Sequence, residues 1–254
     1  MFALAAPAQT KTFKLNTAEG ITLHNATAAA EKFKGKKALK ITISPEAAEK
    51  LAAPAPPRPT PATKKGGKKQ AAQKKGPAAP PPAPPRVDVL ALLDGVEFGN
   101  GTIELDLAGE PDPGAGSGAR GFAGIAFRVQ PDRETYDCFY LRPTNGRADD
   151  QERRNHSAQY ISHPQFTWQK LRQETPSRYE SYVDIQPAEW IHVKIEVNGG
   201  KARLYVNNAP QPVLIVNDVK TGPSAKGAVA LWIEASTVAY FANLKITPAQ
   251  TPSR

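Results

Sequence analysis

The sequence is poor in three features that would otherwise narrow its fold or its location. It has a single cysteine, Cys138, so neither an intramolecular disulfide nor a cluster of cysteine metal ligands can form. No stretch approaches the ~18 consecutive apolar residues that a membrane-spanning helix needs, which predicts no membrane span. Helix signals are also scarce, since only residues 27–34 suggest one or two helical turns.

Acidic residues are absent from residues 51–86, and the positive net charge of the chain is concentrated there. The chain carries a net charge of +9 with a pI near 9.6, a balance that suggests a nucleic-acid partner. Residues 51–86, however, hold eight Lys and Arg and no acid, so removing them leaves +1. Because the segment has no aromatic residue for base stacking, we expect no specific nucleic-acid binding. Residues 58–86 could attract polyanions weakly and non-specifically, or serve only as a solvated linker.

The same segment interrupts the strand pattern of the chain. Residues 52–86 contain no aromatic residue and almost no aliphatic residue beyond alanine, and their proline runs favour extended polyproline II structure. We therefore predict a disordered insertion at 52–86. We expect residues 10–51 and 87–247 to form one domain around it, because the N-terminal part has too few strands to fold alone. Residues 248–254 are predicted to be a frayed C-terminus.

The first residues bear on the location of the protein. Residues 1–9 have small residues near position 8, as at the end of a signal peptide, but no basic region and no full apolar stretch before them. A frayed N-terminus is the alternative. We expect a start further upstream and a periplasmic or secreted protein, while a single cysteine is equally compatible with the cytoplasm.

Strand signals dominate the rest of the chain. Apolar and polar residues alternate in many stretches, as where Ile191, Val193 and Ile195 are separated by polar residues. Turn pairs such as Asn100-Gly101 stand between these stretches and are typical of hairpins. About a dozen such strands predict an all-β fold, a two-sheet antiparallel jelly-roll sandwich.

The faces of the predicted strands that point away from the core differ from one strand to another, and one of them suggests a groove. Along residues 191–206 this face is plainly charged. Along two other stretches it combines small residues with the larger side chains of Arg128, Tyr140, Arg142 and Trp232. Aromatic rings beside arginines can stack on a sugar and hydrogen-bond to its hydroxyls, so we predict that this face is the floor of a ligand groove.

A long segment follows the strand that contains Tyr140. Residues 143–180 are rich in charged and polar residues and are predicted to be an irregular connection, which in compact domains often carries function. We expect it to fold over or beside the groove. Its arginines could bind an anionic group or could pair with neighbouring acids. The candidate ligand-binding residues that it contributes are Asn145, Arg147, His156, His163 and Trp168.

Several phrases of the sequence resemble the concanavalin A-like jelly-roll superfamily. Residues 124–128 and 136–142 are similar to the paired central strands of 3-keto-disaccharide hydrolase domains. The closing strands resemble those of LamG-type domains, and the likeness spans residues 10–247 apart from the insertion. This resemblance implies a concanavalin A-like fold and a link to sugars. It does not imply one activity, because the superfamily mixes lectins, hydrolases and lyases.

Two carboxylates offer one catalytic hypothesis. Laminarinase-type glucanases of the same superfamily carry Glu-x-Asp-x-x-Glu on one strand, which supports a retaining mechanism. Here Glu104 and Asp106 match the first two positions, but the third carboxylate, Glu110, comes one residue late. The alternative is that these residues lie on a solvated strand face.

His156 with Asp149 offers a second hypothesis, proton transfer near neutral pH. The seven-residue separation of His156 and His163 fits no standard zinc pattern, so we predict no metal site of this kind and no cofactor. A structural calcium ion stays open.

The sequence thus predicts an exported carbohydrate-active domain that binds a sugar on one sheet face. Glycoside hydrolysis of the 3-keto-disaccharide type is one option for its activity. The alternative is a carbohydrate-binding or surface-adhesion module without turnover, whose basic insertion binds polyanions.

Overall fold

The computed structural model describes residues 9–52 and 86–249. These residues form fifteen strands, of which the first seven are β1 (Lys11–Phe13), β2 (Ile21–His24), β3 (Ala26–Phe33), β4 (Lys36–Ile43), β5 (Val89–Leu93), β6 (Gly101–Pro111) and β7 (Ala123–Val129). The other eight are β8 (Tyr136–Leu141), β9 (Ala158–His163), β10 (Glu180–Ser181), β11 (Ile191–Asn198), β12 (Lys201–Val206), β13 (Leu214–Val216), β14 (Ala228–Ile233) and β15 (Thr237–Pro248). The described helices are α1 (Pro45–Ala52), α2 (Pro143–Gly146), α3 (Gln151–Asn155), α4 (Trp168–Glu174) and a 3-10 turn at Pro113–Ala115.

The strands form two antiparallel sheets that pack face to face. The first sheet has the order β13-β12-β11-β6-β15-β4-β3, with β1 also paired to β15. The second sheet has the order β10-β9-β8-β7-β14-β5-β2. The predicted jelly-roll sandwich is therefore confirmed. Strands from both sides of residues 53–85 pair with each other, because β2 lies beside β5 and β4 beside β15.

The core lies between the two sheets and follows directly from strand alternation. Ile103, Leu105 and Leu107 of β6 are fully buried, and they meet Ile125 and Phe139 of the second sheet in the same cluster. Burial of each such side chain contributes roughly 1.5–3 kcal/mol. The charged face predicted for residues 191–206 points outward, as the alternating burial of β11 shows.

Two helix predictions need correction. Residues 27–34 form no helix, because β3 pairs with β4 through a tight turn in which Lys34 and Gly35 both have positive φ. This hairpin overrides the helix propensity of its alanines. Conversely, α1 went unpredicted, although the Ser44 side chain accepts a hydrogen bond from the amide of Ala47 and Pro45 is its first residue. Serine followed by proline is a helix-start signal, and it marks the beginning of this helix.

The segment 143–180 is more regular than predicted. It contains α2, α3, α4 and the buried strand β9, which pairs with β8 from Tyr136↔His163 to Leu141↔Ala158. The irregular connection is thus two shorter ones on either side of a strand of the second sheet.

Some expectations concern residues outside the described part. The structure does not describe residues 1–8, 53–85 and 250–254. Nearly all of the insertion predicted at 52–86 and the possible signal-peptide end therefore lie outside the described part. Within residues 9–52 and 86–249, no helix is long and apolar enough to cross a membrane.

Candidate functional site

The outer face of the second sheet carries a cluster of apolar and aromatic side chains. Alternation along its central strands turns every second residue away from the core. Because this face is aromatic rather than charged, it is the candidate binding face, and the side chains of the cluster are at most 7% exposed. We call the following set the outer aromatic cluster: Leu90, Ala126, Val129, Tyr136, Cys138, Tyr140, Ile161, Ala230 and Trp232.

Small residues on β7 let the large rings of the neighbouring strands meet. Gly124 lies between Tyr140 of β8 and Trp232 of β14 in the register. A Cβ atom at Gly124 would come within 2.5 Å of Tyr140 Cβ, so only glycine fits there. The rings of Tyr140 and Trp232 consequently approach to 4.8 Å between centroids. Both are largely buried, with Trp232 only 7% exposed.

At one end of this face, Arg142 is surrounded by aromatic rings. Its guanidinium carbon lies 5.3 Å from the ring of Phe122, 5.2 Å from that of Tyr140 and 5.5 Å from that of Trp168. Arg142 Nη2 donates to Tyr140 Oη at 2.7 Å and to Gln159 Oε1 at 3.0 Å. Trp168, the first residue of α4, is 38% exposed, so its ring is the accessible one.

Three further charged groups complete this end. Arg172 donates to both carboxylate oxygens of Glu180, at 2.9 and 2.7 Å. His156 Nδ1 lies 2.9 Å from Glu180 Oε2, although neither ring nitrogen makes a hydrogen bond of good geometry to a described residue. Burial lowers the pKa of His156, and Arg172 and Arg142 lower it further against the opposing effect of Glu180. We call Arg142, His156, Gln159, Trp168, Arg172 and Glu180 the Arg142 cluster.

At the other end of the face, Asp88, Tyr136 and His163 form a hydrogen-bonded group, which we call the Asp88 cluster. Tyr136 Oη lies 2.6 Å from Asp88 Oδ1 and 2.8 Å from His163 Nδ1, and His163 Nδ1 lies 3.2 Å from Asp88 Oδ1. Asp88 Oδ2 pairs with Arg86 at 2.6 Å. The hydrogen bonds of the His163 ring to described residues all involve Nδ1, and none involves Nε2.

The pKa directions in the Asp88 cluster follow from burial and hydrogen bonding. Burial alone would raise the pKa of Asp88, but hydrogen bonds from His163 and Tyr136 and the charge of Arg86 hold it below its ordinary value. Burial lowers the pKa of His163, and Asp88 offsets only part of that effect. His163 is therefore neutral and Asp88 ionised at neutral pH.

The placement of Arg128 in the ligand groove is wrong. A bulge interrupts the register between β7 and β14 at this residue, whose φ is +54°. The side chain is fully buried at the end of the sandwich, where it donates to the carbonyl oxygens of Gly99, Gly199 and Gly222 at 2.7–3.1 Å. Arg128 thus ties three loops together and does not join Tyr140 on the outer face.

The remaining candidates from the segment 143–180 take structural or exposed positions. Asn145 is buried and holds the segment together by accepting from Arg153 Nε at 3.0 Å and donating to the carbonyl oxygen of His156 at 3.3 Å. Arg147 is exposed and paired with Asp184 at 2.6 Å, the alternative that the sequence left open. Asp149 is exposed and makes no side-chain hydrogen bond to a described residue.

Glu104 and Asp106 lie on the other sheet. Both point outward from β6 in the first sheet, away from Arg142 and Trp232. The carboxylate of Asp106 already has its partners. It pairs with Lys36 at 2.7 Å, lies 3.0 Å from His192 and accepts a hydrogen bond from Asn243 at 2.8 Å. These carboxylates and the Arg142 cluster cannot act on one ligand.

Sequence reasoning missed Asp88, Arg172 and Glu180. Asp88 immediately precedes β5, and its role depends on contacts with Tyr136 and His163 that no local pattern shows. Glu180 could not be recognised, because its partners come from helix α4 and from the end of α3. Among the described residues, no group of three or more His, Cys, Asp or Glu side chains could hold a metal ion.

Comparison with solved structures finds a similar fold in other proteins. A carbohydrate-binding module, CBM66 from Bacillus subtilis, superposes with a TM-score of 0.51 and 15% identity, covering 90% of this chain and 96% of that one. A protein of unknown function with a galectin-like fold, also from Bacillus subtilis, gives a TM-score of 0.53 with 11% identity over 97% and 99% of the two chains. At such identities the likeness shows the fold alone. No curated protein matches the sequence significantly.

The sequence also matches a family model, and this match covers more than half of the chain. It spans residues 89–247, from the first residue of β5 into β15, and so includes most of the candidate face. The model describes the 3-keto-alpha-glucoside-1,2-lyase-like domain, which agrees with the resemblance seen in residues 124–128 and 136–142. The chain therefore belongs to the 3-keto-alpha-glucoside-1,2-lyase-like domain family.

Proposed function

We propose that this domain binds a carbohydrate on the outer face of the second sheet, at the Arg142 cluster. The observation that carries the proposal is the ring of Trp168, which is 38% exposed while the guanidinium of Arg172 lies 4.8 Å from it and that of Arg142 5.5 Å. A ring held in this way offers a rigid stacking platform at small entropic cost. Flanking arginines supply donors for sugar hydroxyls.

The family and the fold support this proposal. The family is named for an enzyme acting on a glucoside, and a structurally similar protein is a carbohydrate-binding module. Neither names the ligand of this chain, so the ligand class rests on the side chains of the face itself.

The experiment is a glycan-array screen of the whole chain followed by calorimetry on the best ligand. Trp168→Ala should weaken binding about tenfold, since stacking of a planar group on an aromatic ring contributes roughly 1–3 kcal/mol. Tyr205→Ala is the matched control, because it removes an aromatic ring from the outer face of the first sheet. Equal effects of the two substitutions, or no glycan bound at all, would contradict the proposal.

Cleavage of a 3-keto-disaccharide is the second candidate function, and the Asp88 cluster favours it. Asp88 and Tyr136 both face Nδ1 of His163, which leaves Nε2 as the nitrogen that accepts or returns a proton. The lowered pKa keeps the imidazole neutral at neutral pH, as a general base requires. His163 would be the group that touches the substrate, and Asp88 and Tyr136 would position it.

The test of this candidate is release of free sugar from a 3-keto-disaccharide. His163→Gln should lower the rate by ~10²-fold or more. His192→Gln is the matched control, since His192 also pairs with an aspartate, Asp106, but on the first sheet. If only His192→Gln abolished the activity, the reaction would belong to the first sheet, and if the chain had no activity the domain would be a binding module.

A further inference from the structure

We infer that the sugar bound at the Arg142 cluster carries a carboxylate group, as a uronic acid does. This inference rests on the proposed sugar-binding function and deepens it by naming the ligand class. It starts from the charge of Arg142. This side chain is only 6% exposed and makes no ion pair with any described carboxylate. Buried charges in proteins are normally paired, so a buried guanidinium without a carboxylate calls for a partner.

Among the described residues Arg128 and Arg142 are the two buried arginines, and they differ in how their donors are satisfied. Arg128 is also buried and also lacks an ion pair, but Nε, Nη1 and Nη2 all donate to oxygens of described residues. In Arg142 only Nη2 donates, to Tyr140 and Gln159. Its Nε is buried without a partner, and Nη1 donates to no described residue. All three nitrogens of the Arg128 guanidinium group are therefore hydrogen-bonded, whereas Arg142 has two nitrogens without an acceptor among the described residues.

The nearby acids do not neutralise Arg142. The carboxylate of Glu180 accepts hydrogen bonds from Nε and Nη2 of Arg172, and His156 lies close to it as well. Glu152 of α3 also acts on the charge of His156 but forms no ion pair with Arg142. The cluster therefore keeps an excess of positive charge, and an anionic ligand group would balance it.

The position of Trp168 connects this charge to a sugar. Its exposed ring lies 5.5 Å from the Arg142 guanidinium carbon, so a pyranose stacked on the indole can place an exocyclic carboxylate on Nη1. Arginine is well suited to carboxylates, and charge-assisted hydrogen bonds are roughly twice as strong as neutral ones. The alternative is that the rings of Phe122, Tyr140 and Trp168 alone satisfy the cation, and it makes a different prediction.

The test compares digalacturonic acid with its neutral counterpart, digalactose, by calorimetry or NMR titration of the whole chain at low salt. The acidic disaccharide should bind about tenfold more tightly. In Arg142→Gln this preference should fall to within about twofold, while Arg142→Lys, which keeps the charge, should retain part of it. Arg147→Gln is the control, because Arg147 is exposed and already paired with Asp184.

Each outcome separates the inference from the proposed function. Equal binding of the two disaccharides overturns the inference and leaves the sugar-binding function standing. A preference that survives Arg142→Gln also overturns it, because another cation of the chain would then recognise the carboxylate. If neither disaccharide binds, the inference fails, and the absence of any hit on the glycan array would show that the proposed function fails with it. Thermal unfolding of Arg142→Gln and Arg142→Lys checks that both variants fold.

Discussion

Trp232 Nε1 donates a hydrogen bond of 3.1 Å to Tyr136 Oη, reaching across the strand β7 that lies between them. This reach is possible because β7 presents only Gly124 and Ala126 on its outer side at that level. The indole is consequently fixed by its polar atom as well as by its ring. Trp232 therefore stabilises the outer face, whereas Trp168 is 38% exposed and is not needed to hold that face together.

The first prediction separates the roles of the two tryptophans. Trp232→Ala should lower the free energy of unfolding by about 3–5 kcal/mol, because it removes a buried ring and leaves a cavity beside Tyr140. Trp168→Ala should change it by no more than about 0.5–1 kcal/mol, since the side chain is 38% exposed. Urea denaturation measures both values, and a smaller loss for Trp232→Ala than for Trp168→Ala would contradict this assignment.

Strand alternation was enough to place part of the candidate site and failed at an identifiable residue. Tyr140, Arg142 and Trp232 share one face because β8 and β14 follow a regular period of two. Arg128 departs from it because the bulge in β7 shifts the register by one residue. A bulge leaves little trace in a single sequence, since Arg is an uncommon residue at positive φ.

The partners of Arg142 show a second limit. Trp168 was expected near the groove, but its contact with the guanidinium depends on how α4 packs on β9. Glu180 and Arg172 pair through the same packing. Both contacts depend on how α4 and the chain after it turn back onto the second sheet, and no periodic pattern encodes that turn.

The second prediction concerns Arg128. Arg128→Met should lower the free energy of unfolding by about 3 kcal/mol or more, because the half-buried carbonyl groups of Gly99, Gly199 and Gly222 all lose their donor. Arg147→Met is the control, since an exposed ion pair contributes only about 0–1 kcal/mol. Sugar binding by the folded Arg128→Met protein should be unchanged, and a loss of affinity without a loss of stability would return Arg128 to the ligand site.

The third prediction is that the protein loses stability on mild acidification. Burial lowers the pKa of His24, His156 and His163 below the ordinary value of 6.5. Between each lowered pKa and 6.5 the unfolded chain binds more protons than the folded one, so stability falls as the pH falls through this window. The free energy of unfolding from urea titrations should thus be lower at about pH 5.5 than at about pH 7.5.

His163→Gln isolates one contribution to this pH dependence. The variant should show a shallower decrease over the same pH interval, whatever its absolute stability, because one of the three shifted groups is gone. A stability that rises on acidification would mean that the three histidines gain rather than lose protons on folding.

The last prediction concerns the basic insertion, through replacement of residues 53–85 by a short Gly/Ser linker. Arg86 is kept, because it pairs with the buried carboxylate of Asp88. Seven basic residues are removed from a chain of net charge +9, so retention on heparin should fall to near zero at moderate salt. The melting temperature should stay within a few degrees, because the removed segment has almost no aliphatic side chain beyond alanine to bury. Retention that survived the replacement would instead point to the unpaired charge of the Arg142 cluster, and Arg142→Gln in the shortened chain would then abolish it.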